Sequence, residues 1–288
     1  MKLIRYKTRN LEQINLGILS KCESKVFKIK ESKGLEISDM NILIENSMED
    51  LKVEENAIPL EKIKLLPILE KTKHDIICVG VNYNEHLIET KEKFDNGNFI
   101  EPKKTVYFSK RVSSIVGTNQ DIEGHFDLDS QIDYEVELGV IIGKKCRNVK
   151  KEDAEEYIFG YSIINDLSAR KLQADHNQWY IGKGLDSFAA MGPCIVHKSA
   201  LNFPPELDIK SYVNGELRQN SNTKYLIKGI GEIIEELTKG ITLEAGDIIA
   251  TGTPSGVGLG MVPQSFLKKG DEVICTIEKI GNLKNTVI

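Results

Sequence analysis

Apolar residues fall at alternate positions or in short unbroken runs through most of the chain after His74, whereas helical spacing is confined to a few stretches. IICVGVNY reads as a buried strand running into a polar helix start. TVYFSK and SSIVG read as short strands, and YEVELGVIIG and YIFGYSIIN as longer ones. In LDIKSYVNGELRQNSNT, Asn214-Gly215 between two extended runs predicts a hairpin with a type I′ turn, because both central positions of that turn need positive φ. Ile230, Ile233, Ile234 and Leu237 mark one apolar face of a helix within 227–237, and DIIATGT and DEVICTIEKIG close the chain as strands. Organisation changes near residue 70. Before it come short, weaker strand patterns at 2–6, 17–19 and 25–29, then a mixed acidic stretch, then 63–69. The expectation is a mainly β protein with few helices, and no doubly wound sheet.

Charge interrupts this pattern most sharply in YEVELGVIIG. Alternate residues of a strand share a face, so Glu135 and Glu137 would point the same way at the entrance to an apolar strand. Two anions so placed need a proton, a basic neighbour or a hard cation, unless the strand is an edge with a solvated face. Asp166, where the apolar run Ile158–Ile164 gives way to NDLSARKLQ, offers a third carboxylate. By itself it reads equally as a cap for a following helix. With Glu135 and Glu137 it completes an all-oxygen set suited to Mg²⁺, Mn²⁺ or Ca²⁺ rather than zinc, with no basic group among the three.

Composition excludes more than it assigns. The chain has 288 residues, 40% hydrophobic and 28% charged, and can bury one large core or two smaller ones. A net charge of −5 without a basic cluster argues against a nucleic-acid partner. Five scattered cysteines without a CxxC pair suggest neither a disulfide framework nor a thiolate metal site. No apolar run reaches the roughly 20 residues that span a bilayer, and the N-terminus lacks the apolar core of a secretory signal, so a cytoplasmic location and no membrane partner are expected.

NYNEHLIE, FSKRVSSIVG, YEVELGVIIG, NDLSARKLQ, GKGLDSFAAMGP, VNGELRQNSNT, LEAGDIIATGTPSGVG and FLKKGDEV, in this order, resemble the fumarylacetoacetate hydrolase superfamily from about residue 74 to the end. The wording is closest to its domain-containing branch and to bacterial relatives acting on 2-oxo acids. The resemblance implies a mixed β-sandwich roll at 71–288, a small separate β-rich N-terminal domain at 1–70, and a homodimer. It assigns a Mg²⁺ or Mn²⁺ ion to Glu135, Glu137 and Asp166, chelated by the substrate through carboxylate and keto oxygens. His86 and Glu89 match the family's dyad on a lid helix, where a spacing of three puts both on one side of a turn. Lys183 matches the active-site lysine, although GKGLDSF departs from the commoner GKSFD wording. Gln173 and Thr253 fall where the family contacts substrate, and Lys171 stands where relatives often carry Asp. The polar segment 90–104 is expected to belong to the lid.

The activity so implied is metal-dependent chemistry on a 2-oxo or 2,4-dioxo acid through a metal-bound enolate. Hydrolysis of a carbon–carbon bond in an acylpyruvate-type substrate is the first expectation. The alternative is tautomerisation or decarboxylation of oxaloacetate, and the third is a binding protein that has lost turnover. Retention of His86, Glu89 and Lys183 beside the carboxylates weighs against the third, since a binder needs no proton shuttle.

Overall fold

The computed structural model describes residues 1–9, 11–31, 36–46, 48, 51–93 and 104–288. The first part holds β1 (Lys2–Thr8), β2 (Ile14–Leu19), β3 (Lys25–Glu31), α1 (Met40–Glu45), β4 (Leu51–Pro59) and β5 (Ile63–Leu65). β6 (Ile76–Gly80), α2 (Asn84–Lys93), β7 (Val106–Lys110), β8 (Asp121–Ile122), β9 (Ile132–Asp133), β10 (Val136–Ile142) and β11 (Ile158–Asp166) follow. Next come β12 (Ser168–Ala169), α3 (Arg170–Asp175), α4 (Tyr180–Lys183), β13 (Ala189–His197), β14 (Asp208–Val213) and β15 (Glu216–Asn222). The chain ends with α5 (Ile230–Thr238), β16 (Ile248–Ala250), β17 (Glu272–Ile277) and β18 (Gly281–Val287). Much of the segment expected as a lid, 94–103, lies outside the described residues.

The large sheet runs β4-β3-β2-β1-β13-β11-β10-β16-β6-β7, with β5 added to β1, and a five-stranded sheet runs β15-β14-β17-β18-β8. Strands of 1–70 therefore join the sheet of the following region through β1 and β13, at Lys2 opposite Val196 and Leu3 opposite Ile195. β4 occupies part of the stretch that the acidic composition left without an element.

Two cores follow from period-2 alternation. Val136, Leu138, Val140 and Ile142 of β10 join Ile209, Val273 and Leu283 of the smaller sheet and the apolar face of α5. On the opposite face Ile141, Ile164 and Met191 pack with Met40, Leu43 and Ile44 of α1. Both faces of β10 and β11 are thus covered, which is why these strands read as nearly continuous apolar runs. α5 buries Ile230, Ile233, Ile234 and Leu237, each contributing about 1.5–3 kcal/mol. It begins at Ile230, where Glu232 Oε2 accepts from Gly229 N at 3.1 Å. The hairpin is as expected: Asn214 and Gly215 have φ of 51° and 81°, the two positive values a type I′ turn requires.

Candidate active site

Antiparallel register brings the carboxylates together. Val136 lies opposite Asn165 and Asp166 N donates to Glu135 O at 2.9 Å, so Asp166 and Glu135 project from facing positions, with Glu137 one pleat along on the same face. One carboxylate oxygen from each lies within 4.8 Å of the others, and all three residues are buried. Asp166 does not cap a helix. α3 starts only at Arg170, because Ser168 and Ala169 pair with Asp133 and Ile132 instead.

The expectation of no basic group among the carboxylates is wrong. Lys183 Nζ donates to Glu135 Oε2 at 2.6 Å and to Asp166 Oδ2 at 2.8 Å. Arg170 Nη2 lies 2.7 Å from Glu135 Oε1, and Lys110 Nζ lies 2.7 Å from Asp166 Oδ1. Four buried carboxylates, Asp133 included, meet three buried cations. Burial alone raises the Glu135 carboxyl, but Lys183 and Arg170 outweigh that and bring it down to about 2. Lys183 and Arg170 are themselves held more firmly protonated, since their carboxylate partners overcome the cost of burial. Burial instead lowers the Lys110 ammonium, only partly offset by Asp166. Arg170, four residues beyond Asp166 in NDLSARKLQ, and Lys110, closing the apolar strand TVYFSK, are the functional residues missed in the sequence. A cation ending an apolar run was the available hint.

The dyad faces the same cavity. α2 carries His86 and Glu89, and His86 Nδ1 lies 2.8 Å from Glu89 Oε2. A carboxylate only accepts, so Nδ1 donates and Nε2 is left for the cavity. Glu89 Oε1 accepts from Gly256 N at 2.9 Å, docking the helix on the 252–260 loop. Gly260 permits this contact: a Cβ there would stand 1.9 Å from Glu89 Oε1. Asn82 secures the approach to α2, donating to Lys228 O at 3.0 Å and to Thr251 O at 2.8 Å.

The cavity measures about 950 Å³. Glu135, Glu137, Lys183, Arg170 and His86 line its polar side, and Val79, Val106, Phe108 and Trp179 are among its apolar residues. Phe108 and Trp179 meet edge to face at 5.0 Å, with Lys183 Nζ 5.2 Å from the Phe108 centroid. Gln173 and Lys171 line the cavity from α3. Gln173 Oε1 accepts from Arg170 Nη1 at 3.1 Å. Thr253 also lines it, but its hydroxyl donates to Val136 O at 2.9 Å and accepts from Gln219 Nε2 at 2.7 Å, so that group serves the scaffold.

The model of the Fumarylacetoacetate (FAA) hydrolase C-terminal family matches residues 75–288. The chain belongs to this family. It is 46% identical to "Oxaloacetate tautomerase YisK" of Bacillus subtilis (strain 168) over 228 residues, which are 79% of this chain and 74% of YisK. Among solved structures it is similar to a fumarylacetoacetate hydrolase from psychrophilic Exiguobacterium antarcticum, with TM-score 0.86, 39% identity, and 100% and 99% of the two chains covered. It is also similar to 5-carboxymethyl-2-hydroxymuconate delta-isomerase from Mycobacterium smegmatis, with TM-score 0.76, 29% identity and coverage of 100% and 99%. Hydrolase and isomerase names thus occur on one family fold.

Within this fumarylacetoacetate hydrolase fold the acidic trio fits a divalent metal. Asp166 Oδ1 is buried and accepts no hydrogen bond, its contact with Lys110 being ionic but poorly directed. Burial, then repulsion from Asp166 and Glu135, drives the Glu137 carboxyl well above the usual range, although Oε2 accepts from Gly252 N at 2.7 Å. A hard cation held by oxygens would relieve both strains. Gly252 adopts φ of 101°, and a Cβ there would lie 2.7 Å from Asn82 Cβ, so the amide that meets Glu137 needs glycine.

Proposed function

We propose that the protein interconverts the keto and enol forms of a small 2-oxo acid, with oxaloacetate as the leading substrate. The carrying observation is that one cavity unites the buried carboxylate cluster with a His–Glu pair at 2.8 Å. The likeness to YisK supports the choice of oxaloacetate. Tautomerisation moves one proton between C3 and the oxygen on C2, so a positioned base and a stabilised oxyanion suffice. His86 Nε2 is the group that takes and returns this proton, and Glu89 fixes its tautomer. Of the three Lys183 protons, two are committed at 2.6 and 2.8 Å, whereas the third faces Asp166 O at 3.4 Å and is the one available to a developing oxyanion. Arg170 and Gln173 orient the carboxylate end. Glu135, Glu137 and Asp166 would hold Mg²⁺ or Mn²⁺, which when bound supplies Lewis-acid polarisation of the 2-oxo group.

The cavity size favours a second reading, hydrolysis of an acylpyruvate, because about 950 Å³ with an aromatic wall exceeds what a four-carbon diacid fills. There His86 would deprotonate water for attack on the distal carbonyl. The deciding assay follows enol absorbance of oxaloacetate and, separately, cleavage of acetylpyruvate with Mg²⁺ or Mn²⁺ present. Faster cleavage than tautomerisation would replace the first reading with the second, and inertness toward both would refute the enolate proposal. We further propose a homodimer in the cytoplasm. Among the described residues no helix is long and apolar enough to cross a membrane. A sedimentation mass near the 32.3 kDa monomer throughout the micromolar range would refute the dimer.

A further inference from the structure

Asp133 is not among the residues that line the cavity, yet it is fully buried and its carboxylate is saturated with donors. Oδ1 accepts from Gly258 N at 2.7 Å and Tyr134 N at 2.9 Å. Oδ2 accepts from Leu259 N at 3.0 Å and Arg170 Nε at 2.9 Å. Three of these four donors lead on to the two sides of the site. Arg170 continues to Glu135 and Gln173, the carboxylate side. Gly258 and Leu259 lie in the loop whose Gly256 amide and Gly260 backbone receive Glu89, the dyad side. A Cβ at Gly258 would stand 2.3 Å from Ser265 O and 2.8 Å from Asp133 Oδ1, so this stretch is folded tightly around the carboxylate.

We propose that Asp133 is a positioning residue that locks the dyad's docking loop to the cation–carboxylate side, setting the distance between His86 and the substrate's oxo-acid end. The inference rests on the enolate reading for its kinetic consequence, but its structural claim stands independently. Charge is the physical reason. The carboxylate accepts from three backbone amides and a guanidinium together, two donors on each oxygen, whereas an amide of the same shape must turn its NH2 toward one such pair of donors. Misplacement of about 1 Å between dyad and substrate is enough for a large loss of rate.

Asp133→Asn provides the test, read by hydrogen exchange at 256–260 and α2, by Mn²⁺ affinity, and by kcat on whichever 2-oxo acid the protein turns over. Expected are faster exchange at 258–259 and in α2, a kcat loss of about tenfold or more, and Mn²⁺ affinity within about threefold of wild type. Unchanged exchange at 258–259, a kcat within twofold of wild type, or a fall in Mn²⁺ affinity matching the fall in kcat would each overturn the proposal. Should Asp133→Asn not fold, Arg170→Lys severs the same link from the other end, since one ammonium cannot reproduce the Nε contact to Asp133 and the Nη2 contact to Glu135. It should accelerate exchange at 258–259 in the same way, and unchanged exchange there would overturn the proposal. Exchange is measured without substrate, so failure of the enolate reading would leave this arm intact.

Discussion

The two sides of the cavity are built on opposite principles. Glu135, Glu137, Asp166, Lys183 and Arg170 are all buried; Glu137 and Asp166 lie on sheet strands, Glu135 immediately before β10, and Arg170 and Lys183 on the short helices α3 and α4. The dyad sits on a polar helix, with Ile88 57% exposed, held by Asn82 at its start and by Glu89 on the 252–260 loop. Charges withdrawn from water must remain mutually compensated, because one unpaired buried ion costs several kcal/mol. A proton shuttle that must admit substrate can tolerate a few replaceable hydrogen bonds. The carboxylate side is therefore expected to fail by losing its charge balance, and the dyad side by losing its alignment.

The largest effect should come from Glu137→Ala. Divalent-dependent turnover and thermal stabilisation by Mn²⁺ should both vanish, while metal-free stability holds or rises because a strained carboxyl has gone. Unchanged Mn²⁺ affinity by calorimetry would break the assignment. His86→Ala tests the other side. Turnover should fall by about 10² to 10⁴, with Mn²⁺ affinity intact. Near wild-type turnover would mean that the proton carrier lies elsewhere.

A smaller change sharpens the contrast further. Gly260→Ala should push the Glu89 carboxylate aside without disturbing the cluster, reducing kcat by about tenfold while leaving Tm stabilisation by metal as in wild type. Equal losses of metal stabilisation and kcat would show that the two sides are not separable in this way.

The smallest expected effect is on pH dependence. In metal-free protein Glu137 has its folded value raised well above 4.5, so the folded state retains a proton that the unfolded chain releases. Its contribution is complete below 4.5 and declines as pH rises through the raised value. Glu135, drawn down to about 2, acts oppositely: its contribution is complete above 4.5 and declines as pH falls through that lower value. Urea midpoints should therefore fall as pH rises toward neutral without metal, and saturating Mn²⁺ should flatten the slope. A metal-free slope already flat above pH 4.5 would remove Glu137 as the titrating group.

Period-2 alternation, the Asn214-Gly215 turn and the spacing of Glu135 and Glu137 are local properties, so the β-rich class, the hairpin, the α5 face and the shared face of two carboxylates were legible in the order of residues. His86 and Glu89 are three residues apart on one helix, a spacing that permits their pairing, but it was the resemblance to the family that singled them out, since the same residues read equally as a solvated helix start. The folded chain was needed to show that Asp166 stands opposite Glu135, because strand register depends on partners about thirty residues apart in the chain. It alone placed Lys110, Lys183 and Arg170 on those carboxylates and tied Asp133 to the loop at 258–259, since charge compensation is a property of distance in space.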